Sequence, residues 1–269
     1  MSSNALLRRV SRSFYLSLRV LPASVRPTLS LAYLLARASD SIADAPSLPV
    51  ETRSRLLRGL PQAWNPADPG PLPEAERDLL AALPELLREL QNSPDRDDIL
   101  SVWTTILSGQ TFDLQRFGPG SGPLSLHEAV RYTGLVAGCV GEFWTRICFR
   151  HLPDYAAAGP DEMCRLGYEF GCGLQWVNIL RDRHADVAAG RCYVTEENFA
   201  AALRIARDQL DAGSRYASLV RPRRIRIACQ MPLEIGRRTL DLIASNPQQP
   251  GLKVGRGFVW FSLLRTLSH

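Results

Sequence analysis

The chain has 269 residues, of which 45% are hydrophobic and 22% charged, enough to bury a sizeable core and unlike either a disordered chain or a disulfide miniprotein. Lys and Arg number 32 against 27 Asp and Glu, for a net charge of +5, which is modest for a dedicated nucleic-acid binder. All of the basic residues except Lys253 are arginine, a skew that suits forked contacts to phosphate or carboxylate, with codon bias as the competing explanation.

Apolar positions recur at three- and four-residue spacing while period-two alternation is almost absent, which predicts an all-α chain. The first predicted helix covers 4–17. The opening MSSNALLRRV lacks the apolar region of a secretory leader. Together with six cysteines and no CxxC pair, this leads us to expect reduced thiols in a cytoplasm. Further helices are predicted at 23–44, 50–60, 74–91, 95–116, 125–150, 161–188, 196–219, 223–245 and 254–267. Proline clusters between 45 and 73, and GPGSGP at 118–123 is a second break. Neither is long enough to separate domains, so one domain over 1–269 is expected. The longest apolar stretches, at 29–36 and 258–264, fall short of a membrane span; peripheral membrane contact stays open.

Two of these helices carry paired aspartates, Asp40 with Asp44 and Asp182 with Asp186. At about 100° per residue, Tyr33, Arg37, Asp40 and Asp44 share an arc of roughly 60°. By the same geometry Gln175, Asn178, Asp182 and Asp186 share roughly 80°, with Gly171 expected to leave open space one turn earlier. LSLAYLLA leads into the first pair and FGCGLQWVNIL into the second, so both polar faces lie on otherwise apolar helices. Like charges held there raise one another's pKa unless a cation neutralises them. Magnesium, which takes one or two carboxylates together with substrate phosphates, answers that need. Arg37 and Arg181 would then offer charge to a diphosphate. A single Asp pair of this kind is ordinarily a solvated face; it is the recurrence that points to a metal–diphosphate site.

Gly134, Ala137, Gly138 and Gly141 recur at three- and four-residue steps in YTGLVAGCVGE. Such a stripe suits either close helix packing or the wall of a ligand cavity. In the last third, Arg221, Arg223, Arg224, Arg226, Arg237 and Arg238 form a basic cluster. A salt-bridged or solvated face competes there with contact to NADPH phosphates or to an anionic membrane, and the lack of interleaved aromatics argues against nucleic acid.

Together these residues resemble the squalene and phytoene synthase family, the head-to-head prenyl transferases. SRSF at 11–14 is similar to the family's N-terminal phosphate motif, and DSIAD at 40–44 to its first aspartate motif. Tyr132 with VAGCVGE at 136–142 resembles its central helix, QWVNILRDRHAD at 175–186 its second aspartate motif, and GRCY at 190–193 follows. The resemblance implies an all-α isoprenoid synthase fold, a single helical bundle with the two motifs facing each other across a deep central cavity. It implies magnesium held by Asp40, Asp44, Asn178, Asp182 and Asp186. Ser11, Ser13, Tyr33, Arg37, Gln175 and Arg181 would position diphosphates and reacting carbons, with Tyr132 also among the substrate-binding residues, and Phe14, Val136, Ala137 and Gly138 would border the prenyl chains.

RIRIACQMPLEIGRRTL at 224–240 is similar to the Cys, Pro and Thr-Leu pattern of the squalene branch. LKVGRG at 252–257 is similar to its NADPH-associated segment, which assigns Lys253 and Arg256 to that cofactor. Ala228 departs from the aromatic usual in that branch, and Thr195 from the proline usual after GRCYV. The implied reaction joins two farnesyl diphosphates through presqualene diphosphate to squalene, with NADPH as reductant. Dehydrosqualene, hydroxysqualene or phytoene synthesis without reduction is the alternative within the fold, and a non-catalytic assembly or membrane-docking protein is the alternative outside it.

Overall fold

The structure, a computed structural model, describes residues 3–10, 14–45, 48–62, 73–118, 120–252 and 254–255. The described residues are all-α as expected, with one isolated antiparallel bridge between Ala156 and Val220. The chain divides into two compact units, one formed by Met1–Arg19 and Ala23–Arg116, the other by Val20–Pro22 and Phe117–His269.

The first unit holds α1 (Ser3–Val10), α2 (Phe14–Val20), α3 (Arg26–Ala43), α4 (Val50–Gly59), α5 (Glu74–Ala81), α6 (Leu83–Gln91) and α7 (Arg96–Arg116). One predicted helix is divided, and the span 4–17 is described as α1 and α2 with residues 11–13 between them outside the described residues. The span 74–91 breaks at Ala82 because Pro84, at the start of α6, has no N–H to bond the carbonyl of Leu80.

The organising element is α3, which packs against α1, α4, α5, α6 and α7. Leu29, Leu31, Leu34, Leu35, Ala38 and Ile42 supply its buried side. Three hydrogen bonds tie it to α7 and the residue just before it: Thr28 Oγ1 donates to the buried Asp95 Oδ2 at 2.6 Å, Trp103 Nε1 to Ser39 Oγ at 3.4 Å, and Gln110 Nε2 to Asp40 Oδ1. The partners rise in number together, so α3 and α7 run in the same direction. Arg53 of α4 donates to the carbonyl of Ala43 at 2.6 Å, giving a cationic partner to the end of α3.

The second unit holds α8 (Leu126–Thr133), a π-helical turn (Gly134–Gly138), α9 (Cys139–His151), α10 (Pro160–Ala188), α11 (Glu196–Leu219) and α12 (Arg223–Ser245). The span predicted as one helix at 125–150 is thus interrupted by a wider turn. A capping box between Ser125 and Glu128 starts α8. Thr195, the departure from the usual proline, accepts from the backbone N–H of Asn198 at 3.2 Å and caps α11. The helix predicted at 254–267 lies outside the described residues except for Val254 and Gly255, which are not helical.

Here the organising element is α10, packed against α8, the π turn, α9, α11 and α12. Its seam with α9 is backbone against backbone: a Cβ on Gly141 would stand 1.9 Å from the carbonyl oxygen of Gly167, and one on Gly171 2.2 Å from that of Ala137. The open space expected at Gly171 is therefore filled by the π turn. At this seam Thr145 joins Tyr155 and Tyr216 in a buried hydroxyl chain, with Thr145 Oγ1 and Tyr216 Oη 2.8 Å apart.

Gly141→Ala or Gly171→Ala should cost at least about 2 kcal/mol, because neither backbone has a rotamer with which to yield. Gly59, whose Cβ position meets nothing within 4 Å, is the control. Thermal denaturation should show a Tm lower by roughly 5 °C for the seam variants and no loss for Gly59→Ala. Equal melting of all three would contradict the close approach.

Candidate active site

Both aspartate pairs lie at the C-terminal ends of the organising helices. On α3, Asp40 is half-buried and Asp44 is exposed as the C-cap residue, with its N–H bonded to the Asp40 carbonyl at 2.9 Å. A carboxylate at a helix C-terminus meets the negative end of the helix dipole. Burial, reinforced by Asp44 and Glu76, pushes the Asp40 carboxyl up from 3.8 to about 6 against the opposing effects of Arg37 and the Gln110 hydrogen bond. Arg37, on the same face, is held at 2.6 Å by Glu76 of α5. That helix also binds Arg9 of α1 through Glu74 and Asp78, so acidic side chains on two sides of α5 orient two arginines.

On α10 the charges are compensated by neighbouring arginines. Arg181 folds onto Asp182 through one guanidinium edge, Nε donating to Oδ1 at 2.8 Å and Nη2 to Oδ2. Asp186 accepts from Arg191 at 2.9 Å. Arg191 reaches it because Gly190, at φ +81°, reverses the chain directly after the helix and lets the Arg191 N–H bond the Asp186 carbonyl at 2.7 Å. Asn178 is exposed and donates to Gln175 at 3.4 Å. The expected polar line from Gln175 to Asp186 is therefore continuous along one helix.

Behind this line Arg183, only 6% exposed, bonds the Pro247 carbonyl, pairs with Glu196 at 3.1 Å and lies 4.5 Å over the Phe199 ring. It anchors α10 to the start of α11 and to the segment after α12.

Tyr132 stacks on Tyr193 at 5.2 Å, and Phe117 meets the same ring edge-on at 5.0 Å. This brings the GRCY tyrosine to the predicted substrate residue. Val136 and Ala137 are partly exposed. Gly138, expected to border a prenyl chain, is buried, and its Cβ position lies 2.7 Å from both Cys172 Sγ and Tyr168 Cε2. Packing against α10 accounts for its size. Ser11, Ser13, Lys253 and Arg256 lie outside the described residues, as does the side chain of Phe14. In the basic cluster, Arg221 pairs with Asp154 at 3.5 Å, Arg237 with Asp211, and Arg226 with the Val220 carbonyl, in line with a salt-bridged face.

Glu76 and Gln110 are site neighbours that motif reading missed, and Arg191 and Tyr193 stood inside GRCY without a role assigned to them. Gln110 had a signal: Ile99, Trp103 and Ile106 are buried at helical spacing, and Gln110 continues their stripe with a polar group where an apolar one belongs.

Among the described residues no three His, Cys, Asp or Glu side chains form a metal-binding group. The donor set nevertheless fits magnesium, whose habit is one or two carboxylates completed by water and phosphate oxygens. The paired acids on α3, one of them pushed up in pKa, are charges that a hard cation would relieve.

Residues 7–205 match the model of the squalene/phytoene synthase family. A bifunctional lycopene cyclase/phytoene synthase of Phaeosphaeria nodorum is 29% identical over 202 residues, which cover 70% of this chain and 32% of that protein. The squalene synthase of Eremothecium gossypii is 29% identical over 206 residues, 71% of this chain and 45% of the relative. The phytoene synthase of Mycobacterium bovis is 24% identical over 198 residues, 72% and 57% respectively. The matched stretch thus spans between a third and somewhat over half of these relatives. In fold the chain is similar to TcSQS in complex with BPH1237, at a TM-score of 0.78 and 20% identity over 98% of this chain and 85% of the other. It is also similar to a dehydrosqualene synthase in complex with ligand, at 0.69 and 19% over 99% and 94%.

In metal-chelated protein the folded state keeps the Asp40 proton where the unfolded chain has released it. This contribution to stability is full below about pH 4 and lost as pH rises through about 6. Asp40→Asn, which retains an oxygen to accept from Gln110, should therefore be more stable than wild type at pH 8 by on the order of 1–3 kcal/mol, with the gap closing towards pH 4. Melting curves in EDTA across that range check it; a gap independent of pH would sink the assignment.

Proposed function

The chain belongs to the squalene/phytoene synthase family, and we propose that it is a prenyltransferase that joins two farnesyl diphosphates head to head through presqualene diphosphate to squalene. The observation that carries this reading is the pair of organising helices that each end in two aspartates with guanidinium groups beside them. A solvated face would not need Asp40 buried against Gln110 or Asp186 clamped by an arginine brought back across a left-handed glycine. This intact apparatus also argues against a non-catalytic docking protein.

Asp40, Asp44, Asn178, Asp182 and Asp186 would hold magnesium, which when bound neutralises the diphosphate and assists its departure. Arg37 and Arg181 offer charge to the oxygens on which negative charge gathers as the carbon–oxygen bond breaks and its electron pair leaves with the diphosphate. Glu76 and Asp182 hold these guanidiniums before substrate arrives. The allylic cation left behind requires a dry surround, to which the partly exposed Val136 and Ala137 would contribute. The departing diphosphate can take the proton lost in condensation, so no side chain is assigned as base.

The squalene branch is favoured by the C-terminal pattern, in which Cys229, Thr239 and Leu240 are buried on α12. Relatives named phytoene synthase support the second reading, synthesis of phytoene or another unreduced product. NADPH, with Lys253 and Arg256 as its contacts, belongs to the first reading only. Among the described residues no helix is long and apolar enough to cross a membrane.

The test supplies C15 and C20 diphosphates with magnesium, with and without NADPH, and identifies the products. Squalene from the C15 substrate with NADPH, and presqualene diphosphate without it, are expected. Phytoene from the C20 substrate, or an unreduced product unaffected by NADPH, would move the chain to the second reading. Asp182→Asn at saturating magnesium should release diphosphate at least about 10²-fold more slowly, and wild-type turnover would remove Asp182 from the metal site.

A further inference from the structure

The contact between Gln110 and Asp40 joins two helices already fastened to each other. Thr28 with Asp95 and Ser39 with Trp103 hold α3 beside α7, and Ile99, Trp103 and Ile106 bury the same stripe of α7. An apolar side chain at position 110 would complete that stripe. Instead Gln110 is 7% exposed and its amide nitrogen donates to Asp40 Oδ1. Its carbonyl oxygen, Oε1, is buried and accepts from no group among the described residues.

A buried amide with one half engaged and the other unpartnered is costly for a protein to keep unless something else completes it. The engaged half holds one carboxylate oxygen of Asp40 and leaves Oδ2 outside that bond. The unengaged half is an acceptor beside a residue proposed to bind a cation that retains several of its waters. Each such water carries hydrogens to donate.

We infer that Gln110 is a positioning residue for the magnesium site: its N–H fixes the orientation of Asp40, and its Oε1 accepts a hydrogen from a water of the bound ion. This inference rests on the reading of Asp40 as a magnesium ligand. Groups that hold a ligand rather than the metal itself typically change metal affinity by about 10–100-fold when removed.

Gln110→Met keeps the length and volume of the side chain and removes both polar atoms. Magnesium affinity is read from the rise in Tm on titrating magnesium in the presence of inorganic diphosphate, and in parallel from the magnesium dependence of diphosphate release. Gln110→Met should raise the half-saturating magnesium concentration about tenfold in both, with Tm in EDTA no lower than wild type and the KM for substrate at saturating magnesium changed less than about twofold. Gln110→Asn, which keeps an amide but cannot reach as far, should give a shift of the same sign and serves if the methionine variant does not fold. A lower Tm in EDTA with unchanged magnesium half-saturation would assign Gln110 to packing alone and overturn the inference, as would no change in either. Asp40→Asn is run alongside. If it too leaves the magnesium response unchanged, the metal-site reading itself fails; if it abolishes the response while Gln110→Met matches wild type, only the role of Gln110 fails.

Discussion

Negative charge placed at the end of a buried helix is disfavoured three times over, by the helix dipole, by the neighbouring carboxylate one turn away and by loss of water. Both α3 and α10 accept this, and each is the helix on which its unit is built. The two answer it differently. Around α3 the acid stays close-packed, receives an amide proton from Gln110 and has its pKa pushed up. Around α10 the acids take guanidinium partners, Asp182 from Arg181 and Asp186 from Arg191. The amide solution leaves a charge to be neutralised by something that arrives; the guanidinium solution keeps the charge in place until it is used.

What keeps these termini in position is packing that has little freedom to adjust. In the first unit α3 is tied to α7 at three points along its length and its last turn is closed by Arg53. In the second, α10 lies with its backbone directly against that of Gly141 and Ala137, while on its far side Arg183 grips the start of α11 and the Pro247 carbonyl. Burying that guanidinium is tolerable because its partners are a carboxylate, a carbonyl and an aromatic face, which together replace most of its hydration.

Helix content and the aspartate faces were legible in the sequence because both depend on the 3.6-residue period, which is local and repeated. The break at Ala82 was legible too, in Pro84, but the apolar pattern runs across it and masks it. Gly171 was misjudged for a different reason: an absent side chain is open space or close contact depending on what lies opposite, and only the fold supplies that. Arg191 was visible inside GRCY, yet its reach back to Asp186 depends on the backbone reversal at Gly190. Gln110 is joined to Asp40 across 70 positions of chain, and no periodicity encodes a partner at that distance. Thr195, an anomaly as a motif residue, is ordinary once it is seen to cap a helix.

The π turn at Gly134–Gly138 makes tolerance to a change of chain length uneven along this segment. Five residues wound at the wider pitch turn the chain about as far as four α-helical residues do, so the turn takes up one extra residue while α9 keeps the phase that places Gly141 on Gly167 and Thr145 on Tyr216. Deleting one residue within the turn would let the segment continue as an α-helix with that phase nearly kept. Deleting one within α9 would turn everything after it by about 100°, and the glycine would leave the seam for a side chain. Over this stretch a lineage could lose a codon at the turn more readily than in the helix that follows it.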